Sequence, residues 1–247
     1  MRLLHFFLVL TISCAAYSQQ MEIGLFHNKK ISQVKIVPVK GDYELYGDTT
    51  FLSTIIQGEE ITIRNSGNSV SAELKDSAYR GFGELKLIPK INNSSLRYTI
   101  AGAKSRLYKD GALFKASKSL LKIINSVTMN NYLSGVIESE GGGGKHIEYY
   151  KVQALMSRTY ALKNLKRHSK SGFQLCDGVH CQAYHSELRY TPTINEAVLE
   201  TEGKILVDSS NKLVTTYFAA NCGGETCDAS FVWNTSVWYV QPFLNTF

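Results

Sequence analysis

Between Ser139 and His168 the chain reads SEGGGGKHIEYYKVQALMSRTYALKNLKRH. One carboxylate, Glu140, stands directly before four glycines, Gly141 to Gly144, which offer no side-chain cover and can take any backbone angle. A carboxyl left open to a ligand on one side and partly desolvated by a closing cleft holds its proton tightly. That is the property a general acid needs near neutral pH. Two cations, Lys151 and Arg158, follow within one heptad of each other and would pull the proton affinity the other way. The bland alternative for the glycines is a flexible linker between helices. A second cluster, Cys176, His180 and Cys181, lies within six residues, with Cys222 and Cys227 further on. Four cysteines in two CxxxxC pairs fit disulfides in an oxidising compartment. Cys176, His180 and Cys181, with Cys222 as a candidate fourth ligand, equally fit a tetrahedral zinc site.

These residues have to be positioned by a helix. Wound at about 100° per residue from Lys151, Ile147 and Leu165 fall near −40°, Leu155 near +40°, Leu162 near +20° and Arg158 near −20°. The pattern predicts a helix over 147–165 with Arg158 inside its apolar stripe and Gln153, Ser157, Asn164 and Arg167 on a solvent face. A buried guanidinium without a partner costs several kcal/mol, so Arg158 must meet a carboxylate, backbone carbonyls or a bound anion. Lys151 can reach outward along its own stem. Glu140 is the candidate carboxylate. An internal Arg–Glu pair that merely fixes packing satisfies the same spacing.

Ahead of that helix, Val127, Met129, Tyr132, Leu133 and Val136 give a helical pattern over 125–137. From Met21 to about Ile124 the runs QVKIVPV, YELYG, ITIRN, ELKLIP, RYTIAG and SLLKIIN alternate between turn signals and read as strands. Three strand-like runs, 182–184, 203–208 and 213–220, follow the long helix. The expected fold is α+β: a β-rich front half, 19–124, built as a barrel or sandwich, and a mixed α/β half, 125–247, built on one long helix.

The 247-residue chain has 44% hydrophobic residues and only 4 prolines, enough for a sizeable core. Residues 1–18 carry a basic start at Arg2, an apolar run from Leu3 to Ile12 and small residues near Ala15 to Ser18, the form of a secretory signal peptide. Cys14 fits a lipid-attachment cysteine as an alternative. The apolar run is shorter than the roughly 20 residues a membrane span needs, so no span is expected in the mature chain. A net charge of +6 suits an anionic surface such as a cell wall. The basic residues are scattered, which argues against nucleic acid.

Taken together, YLSGVIESE, KVQALMSRTYAL, CDGVHCQAY, TEGKILV and YFAANCGGET with a following tryptophan resemble the stage II sporulation protein D family, also called the amidase-enhancer family. The resemblance covers roughly Met21 to the C-terminus and is strongest from Asn125 onward. It implies a secreted or periplasmic protein acting on peptidoglycan as a lytic transglycosylase, cutting glycan strands stripped of their peptides to 1,6-anhydro products. Glu140 matches the catalytic glutamate, and Lys151 and Arg158 match the basic residues of the next helix. Those two cations would orient Glu140 or bind the muramic carboxylate. Tyr160, Gln182, Tyr184, Gly223, Gly224, Thr226 and Trp233 fall on other motif positions as substrate-binding candidates. The resemblance favours a structural zinc on Cys176, His180 and Cys181, with none required for the chemistry. The other reading is a non-catalytic wall-binding enhancer of an N-acetylmuramoyl-L-alanine amidase. Two features depart from the family: glycines follow the SE pair in place of a bulky residue and a proline loop, and no GHGVGMSQ-type segment is present. The second departure carries the expectation of a C-terminally incomplete region.

Overall fold

Alternation is what makes the front half a sheet structure. In QVKIVPVK, Val34 and Ile36 are buried while Lys35 between them is exposed, the period of a strand with one face on a core. The computed structural model describes residues 20–219, 221–235, 237–240 and 242–244; the leader expected over 1–18, with Cys14, lies outside the described residues. Twelve strands run in succession: β1 (Gln20–Leu25), β2 (Gln33–Lys40), β3 (Tyr43–Gly47), β4 (Thr50–Ile55), β5 (Ile61–Ser66), β6 (Ser69–Glu73), β7 (Ala78–Phe82), β8 (Glu84–Pro89), β9 (Ser95–Thr99), β10 (Arg106–Lys109), β11 (Gly111–Ser117) and β12 (Leu120–Thr128). Then come α1 (Met129–Gly141), α2 (Ile147–Lys163), β13 (Leu175–Cys176), α3 (Pro192–Glu200), β14 (Glu225–Thr226), α4 (Ala229–Trp233) and β15 (Phe243–Leu244).

The fold is α+β and rich in strands. Apart from the two-stranded pair β14-β15, the strands form two large sheets, β13-β1-β12-β11-β8-β3-β4 and β10-β9-β2-β5-β6-β7. Contacts of β5 and β6 with β8, β11 and β12 bring the two together, and among the described residues neither sheet closes into a barrel. Pairing is antiparallel except where β13 joins β1 in parallel, Ile23 opposite Leu175 and Gly24 opposite Cys176. That one parallel pair ties the cysteine segment to the first strand.

Tyrosines fill the space between the sheets and helices. Tyr98, Tyr108, Tyr184 and Tyr132 form a chain of buried rings with centroids 5.4, 5.0 and 5.0 Å apart. Burying a phenol needs a partner for its hydroxyl. Tyr108 donates to the Tyr184 carbonyl, Tyr184 to Asn125 Oδ1 and Tyr132 to Gln182 Oε1. The strand-sheet core thereby holds the segment 182–184 in place, although that segment is not itself a strand.

Several elements differ from the sequence expectation. The helical pattern read over 125–137 divides into the end of β12 and the start of α1 at Met129, where the Thr128 side chain accepts from the Asn131 N–H as an N-cap. The runs at 182–184, 203–208 and 213–220 are not named strands; a lone bridge between Val207 and Leu213 is the pairing there. The helix α3 was not anticipated, though Pro192 at its first turn is a recognised start signal. Among the described residues no helix is long and apolar enough to cross a membrane.

Candidate functional site

Glu140 occupies the last turn of α1, whose path is fixed by its neighbours. At Gly135 an added Cβ would lie 2.3 Å from the Ser186 carbonyl and 2.5 Å from the Tyr184 ring, so α1 packs directly against the segment 184–186. Two residues before Glu140, the buried Glu138 accepts backbone N–H groups from Arg189, Tyr190 and Thr191 at 3.0, 2.8 and 3.0 Å, with Arg189 Nε 3.5 Å away. Glu138 is thereby committed to holding that loop. Glu140 instead accepts the Ala183 N–H at 2.6 Å and is otherwise exposed. Gly142 ends α1 at φ +64° and ψ −172°, a positive-φ conformation that glycine adopts without strain.

Glu140 lines a groove of about 520 Å³ together with Met156, Ser157, Tyr160, Lys163 and Asn164 of α2 and its C-terminal cap, Arg167, the segment 179–182, the segment 215–218, Trp233 and Thr235. Among the described residues no other carboxylate lines it. Lys163 donates to Thr215 Oγ1 at 2.6 Å, and Arg167 donates to the Tyr160 hydroxyl at 3.0 Å. Trp233, about half exposed, stacks on Tyr217 with centroids 4.3 Å apart and planes 29° from parallel.

Lys151 and Arg158 have other partners. Arg158 is buried, and its guanidinium donates to the carbonyls of Val198, Thr201 and Lys204 at 3.1, 2.8 and 3.2 Å. These are carbonyls at and just beyond the C-terminal end of α3, whose last turn has no basic residue of its own. Lys151 bridges Glu148 at 2.8 Å and Glu200 at 2.6 Å, pairs that hold its ammonium well above the usual lysine range. Both cations clamp α2 to α3. The groove uses the opposite face of α2: about 100° per residue puts Met156, Tyr160 and Lys163 between roughly 120° and 180° from Lys151. The basic groups at the groove are therefore Lys163 and Arg167, and only their place on the supposedly solvated face could have signalled them.

Of the remaining substrate-binding candidates, Tyr160, Gln182 and Trp233 line the groove. Tyr184 is fully buried in the tyrosine chain. Gly223 and Gly224, at φ +65° and +99°, form an exposed turn before Thr226, which exchanges hydrogen bonds with the Phe243 backbone.

Beside the groove, ligand atoms of His168, Cys176, His180 and Cys181 all lie within 4.8 Å of one another. Cys181 Sγ is 3.4 Å from His168 Nε2 and 3.8 Å from His180 Nδ1; Cys176 Sγ is 3.9 Å from the same Nδ1. Tetrahedral zinc, with bonds of about 2.3 Å to sulfur and 2.0–2.1 Å to nitrogen, sets sulfur and nitrogen about 3.5 Å apart, so the four residues fit such an ion. Burial pushes the Cys181 thiol up to about 12 and draws His168 below its usual value, leaving a neutral thiol and a neutral imidazole when no cation is held. The fourth group is His168 and not Cys222. All four described cysteines are unbonded, and Cys222 and Cys227 are exposed. The segment is also fastened by buried Asp177, which accepts from the Phe26 N–H at 2.7 Å and from Arg106 at 2.9 Å.

Comparison with known proteins gives three findings. Residues 117–207 match the family described as Stage II sporulation protein (SpoIID). The chain is 29% identical over 134 residues to an uncharacterized protein of Brachyspira hyodysenteriae, covering 54% of this chain and 36% of that protein. It is 31% identical over 108 residues to the amidase enhancer of Bacillus subtilis, covering 44% of this chain and 14% of that protein. The chain thus spans well under half the length of either relative.

Proposed function

We propose, from the match of residues 117–207 to the stage II sporulation protein (SpoIID) family, that this chain acts on the glycan strands of the cell wall as a lytic transglycosylase with Glu140 as its acid and base. The observation that carries this is the solitary carboxylate: Glu140 is the one acid lining the groove among the described residues. Hydrolytic glycosidases ordinarily need two carboxyl groups flanking the scissile bond. The candidates for a second, Glu138 and Glu148, are held by a loop backbone and by Lys151.

One carboxyl suffices when the sugar supplies its own nucleophile. Protonated Glu140 gives its proton to the bridging oxygen as the C1–O bond breaks. The resulting carboxylate then takes the proton of the 6-hydroxyl while O6 bonds to C1, closing a 1,6-anhydro ring and restoring the acid. The Ala183 N–H fixes one carboxyl oxygen at 2.6 Å, and the other has no partner among the described residues. Lys163 and Arg167 suit the lactyl carboxylate of a muramic residue whose peptide has been removed, and the Tyr217–Trp233 stack suits a pyranose face.

The metal site belongs to the same reading. His168, Cys176, His180 and Cys181 would hold zinc with all four positions filled by protein, so the ion supplies structural fixation and no open coordination site. Its role would be to hold the segment whose Ala183 N–H orients Glu140.

A second reading, that the chain enhances a separate amidase without cutting, draws on the name of the Bacillus subtilis relative. Incubation with amidase-treated glycan strands separates the two. Release of 1,6-anhydromuramic ends, lost in Glu140→Gln with strand binding retained, is expected. Strand binding with no anhydro product from the wild-type chain would leave the enhancer.

A further inference from the structure

On the other flank of α1 lies a second cavity of about 410 Å³. Its lining includes Lys40 from the end of β2, Lys109 from the end of β10 and Arg189 from the loop that Glu138 holds, with the carboxamides of Asn93, Asn131 and Asn195. No acid lines it. Asn131 and Glu140 are nine residues apart on one helix, so they project about 180° from each other. The cavity is therefore not an extension of the Glu140 groove.

Three cations from separate parts of the chain converge here although like charges repel. Lys40 Nζ and the Asn195 amide have no hydrogen bond or ion pair among the described residues, and Lys109 has only a 3.5 Å contact with Asn93 Oδ1. Arg189 is 3.5 Å from Glu138 and lies over the Tyr190 ring. Two carboxylates lie nearby: Asp110, which accepts from Asn131 Nδ2 at 2.8 Å, and Glu187, which is pushed up by burial and feels the charge of Lys109, Lys40 and Arg189. Glu187 Oε2 is buried with no hydrogen-bond partner. The three cations call for an anion. The carboxamides of Asn93 and Asn195 can donate to or accept from a ligand, while Asn131 keeps its Oδ1 as an acceptor.

We propose that this cavity is a binding site for an anionic sugar, a monosaccharide-sized unit carrying a carboxylate or phosphate, separate from the groove of Glu140. The site does not depend on whether Glu140 cuts glycan. Lys40, Lys109 and Arg189 meet the anionic group, and the asparagines take the hydroxyls and any acetamido group. Because the segment 183–192 supplies both the Ala183 N–H to Glu140 and Arg189 to this cavity, a sugar bound here touches the same loop that orients the acid.

The test is titration of the isotopically labelled full chain, followed by amide chemical shifts, with N-acetylmuramic acid and glucose 6-phosphate as the carboxylate and phosphate probes. Neutral N-acetylglucosamine and inorganic phosphate serve as the two halves. Saturable shifts at Lys109, Asn131 and Arg189 are expected from at least one acidic sugar, weakening about tenfold in Lys40→Ala/Lys109→Ala, the loss expected for charged hydrogen bonds. The exposed single change Lys40→Ala should weaken binding in the same direction with an unchanged thermal midpoint. Whichever acidic sugar binds tighter identifies the source of the anion. Glu140→Gln should leave these shifts intact even if it abolishes anhydro product, so the two proposals fail separately. Shifts confined to Tyr160 and Trp233, equal affinity for either half alone, or indifference to the lysine changes would overturn the site.

Discussion

Arg158 shows how a charge in an apolar stripe can be structural. Its spacing alone left a carboxylate, a ligand or backbone carbonyls as partners, and carbonyls at the end of α3 are what it meets. Arg158→Leu leaves those carbonyls without a donor at a cost of about 1–3 kcal/mol for each that stays buried. The expected result is a large fall in the denaturant midpoint, partly restored in Arg158→Lys, with strand affinity of the folded fraction unchanged. A loss of affinity at unchanged stability would return Arg158 to the groove. Glu187 gives a pH-dependent counterpart. Burial raises its folded value above the ordinary 4.5, so the folded state binds the proton more tightly than the unfolded chain does. Stability contributed by the protonated form is full below 4.5 and is lost as pH rises through the folded value. Glu187→Gln should abolish that fall, so the variant gains on the wild type between mildly acidic and neutral pH when midpoints are compared across that range.

At the scale of elements, the close approach of α1 to the segment 184–186 is what delivers Glu140 to Ala183. Gly135→Ala inserts a methyl where a carbonyl and a ring already stand, and overpacking of this kind costs about 1–3 kcal/mol. The expected readout is a lower thermal midpoint together with loss of anhydro product, in contrast to Glu140→Gln, which should lose product alone. The cluster of His168, Cys176, His180 and Cys181 borders the same segment, and the proposed zinc would fasten it. Chelation should lower the thermal midpoint and speed amide exchange around Ala183, with zinc and not magnesium restoring both, since two thiols and two imidazoles select the softer ion. The strands of the front half were legible because period-2 alternation repeats between glycine and asparagine turns, as in β2 and β5. The runs after α2 were not. TEGKILV has strand composition, yet its strand-like pairing stops at the Val207–Leu213 bridge and the Val214 N–H on the Leu206 carbonyl, and its Leu206 N–H is taken by Thr159 Oγ1 on α2. Composition cannot foresee pairing with a helix 40 or more residues away. Cys176, His180 and Cys181 were legible from spacing, while His168 needed the fold to bring it back.

For the molecule as a whole, the groove sets a charged wall beside an aromatic wall, and under the proposed function the two should respond differently to salt. Lys163 and Arg167 lie on exposed parts of the chain, where attraction to a carboxylate is screened within a Debye length of about 8 Å at physiological ionic strength. The Tyr217–Trp233 stack relies on apolar contact and is not screened. Trp233→Ala is therefore expected to weaken binding to denuded glycan strands by about tenfold, or 1.4 kcal/mol, at low and high salt alike. Arg167→Gln should weaken binding chiefly at low salt and flatten the salt dependence of the wild type. Cosedimentation with strands at two ionic strengths measures both. If Trp233→Ala binds as well as the wild type while Arg167→Gln loses affinity equally at both salts, the sugar does not lie along this groove, and Glu140 loses the substrate that its solitary position was read to serve.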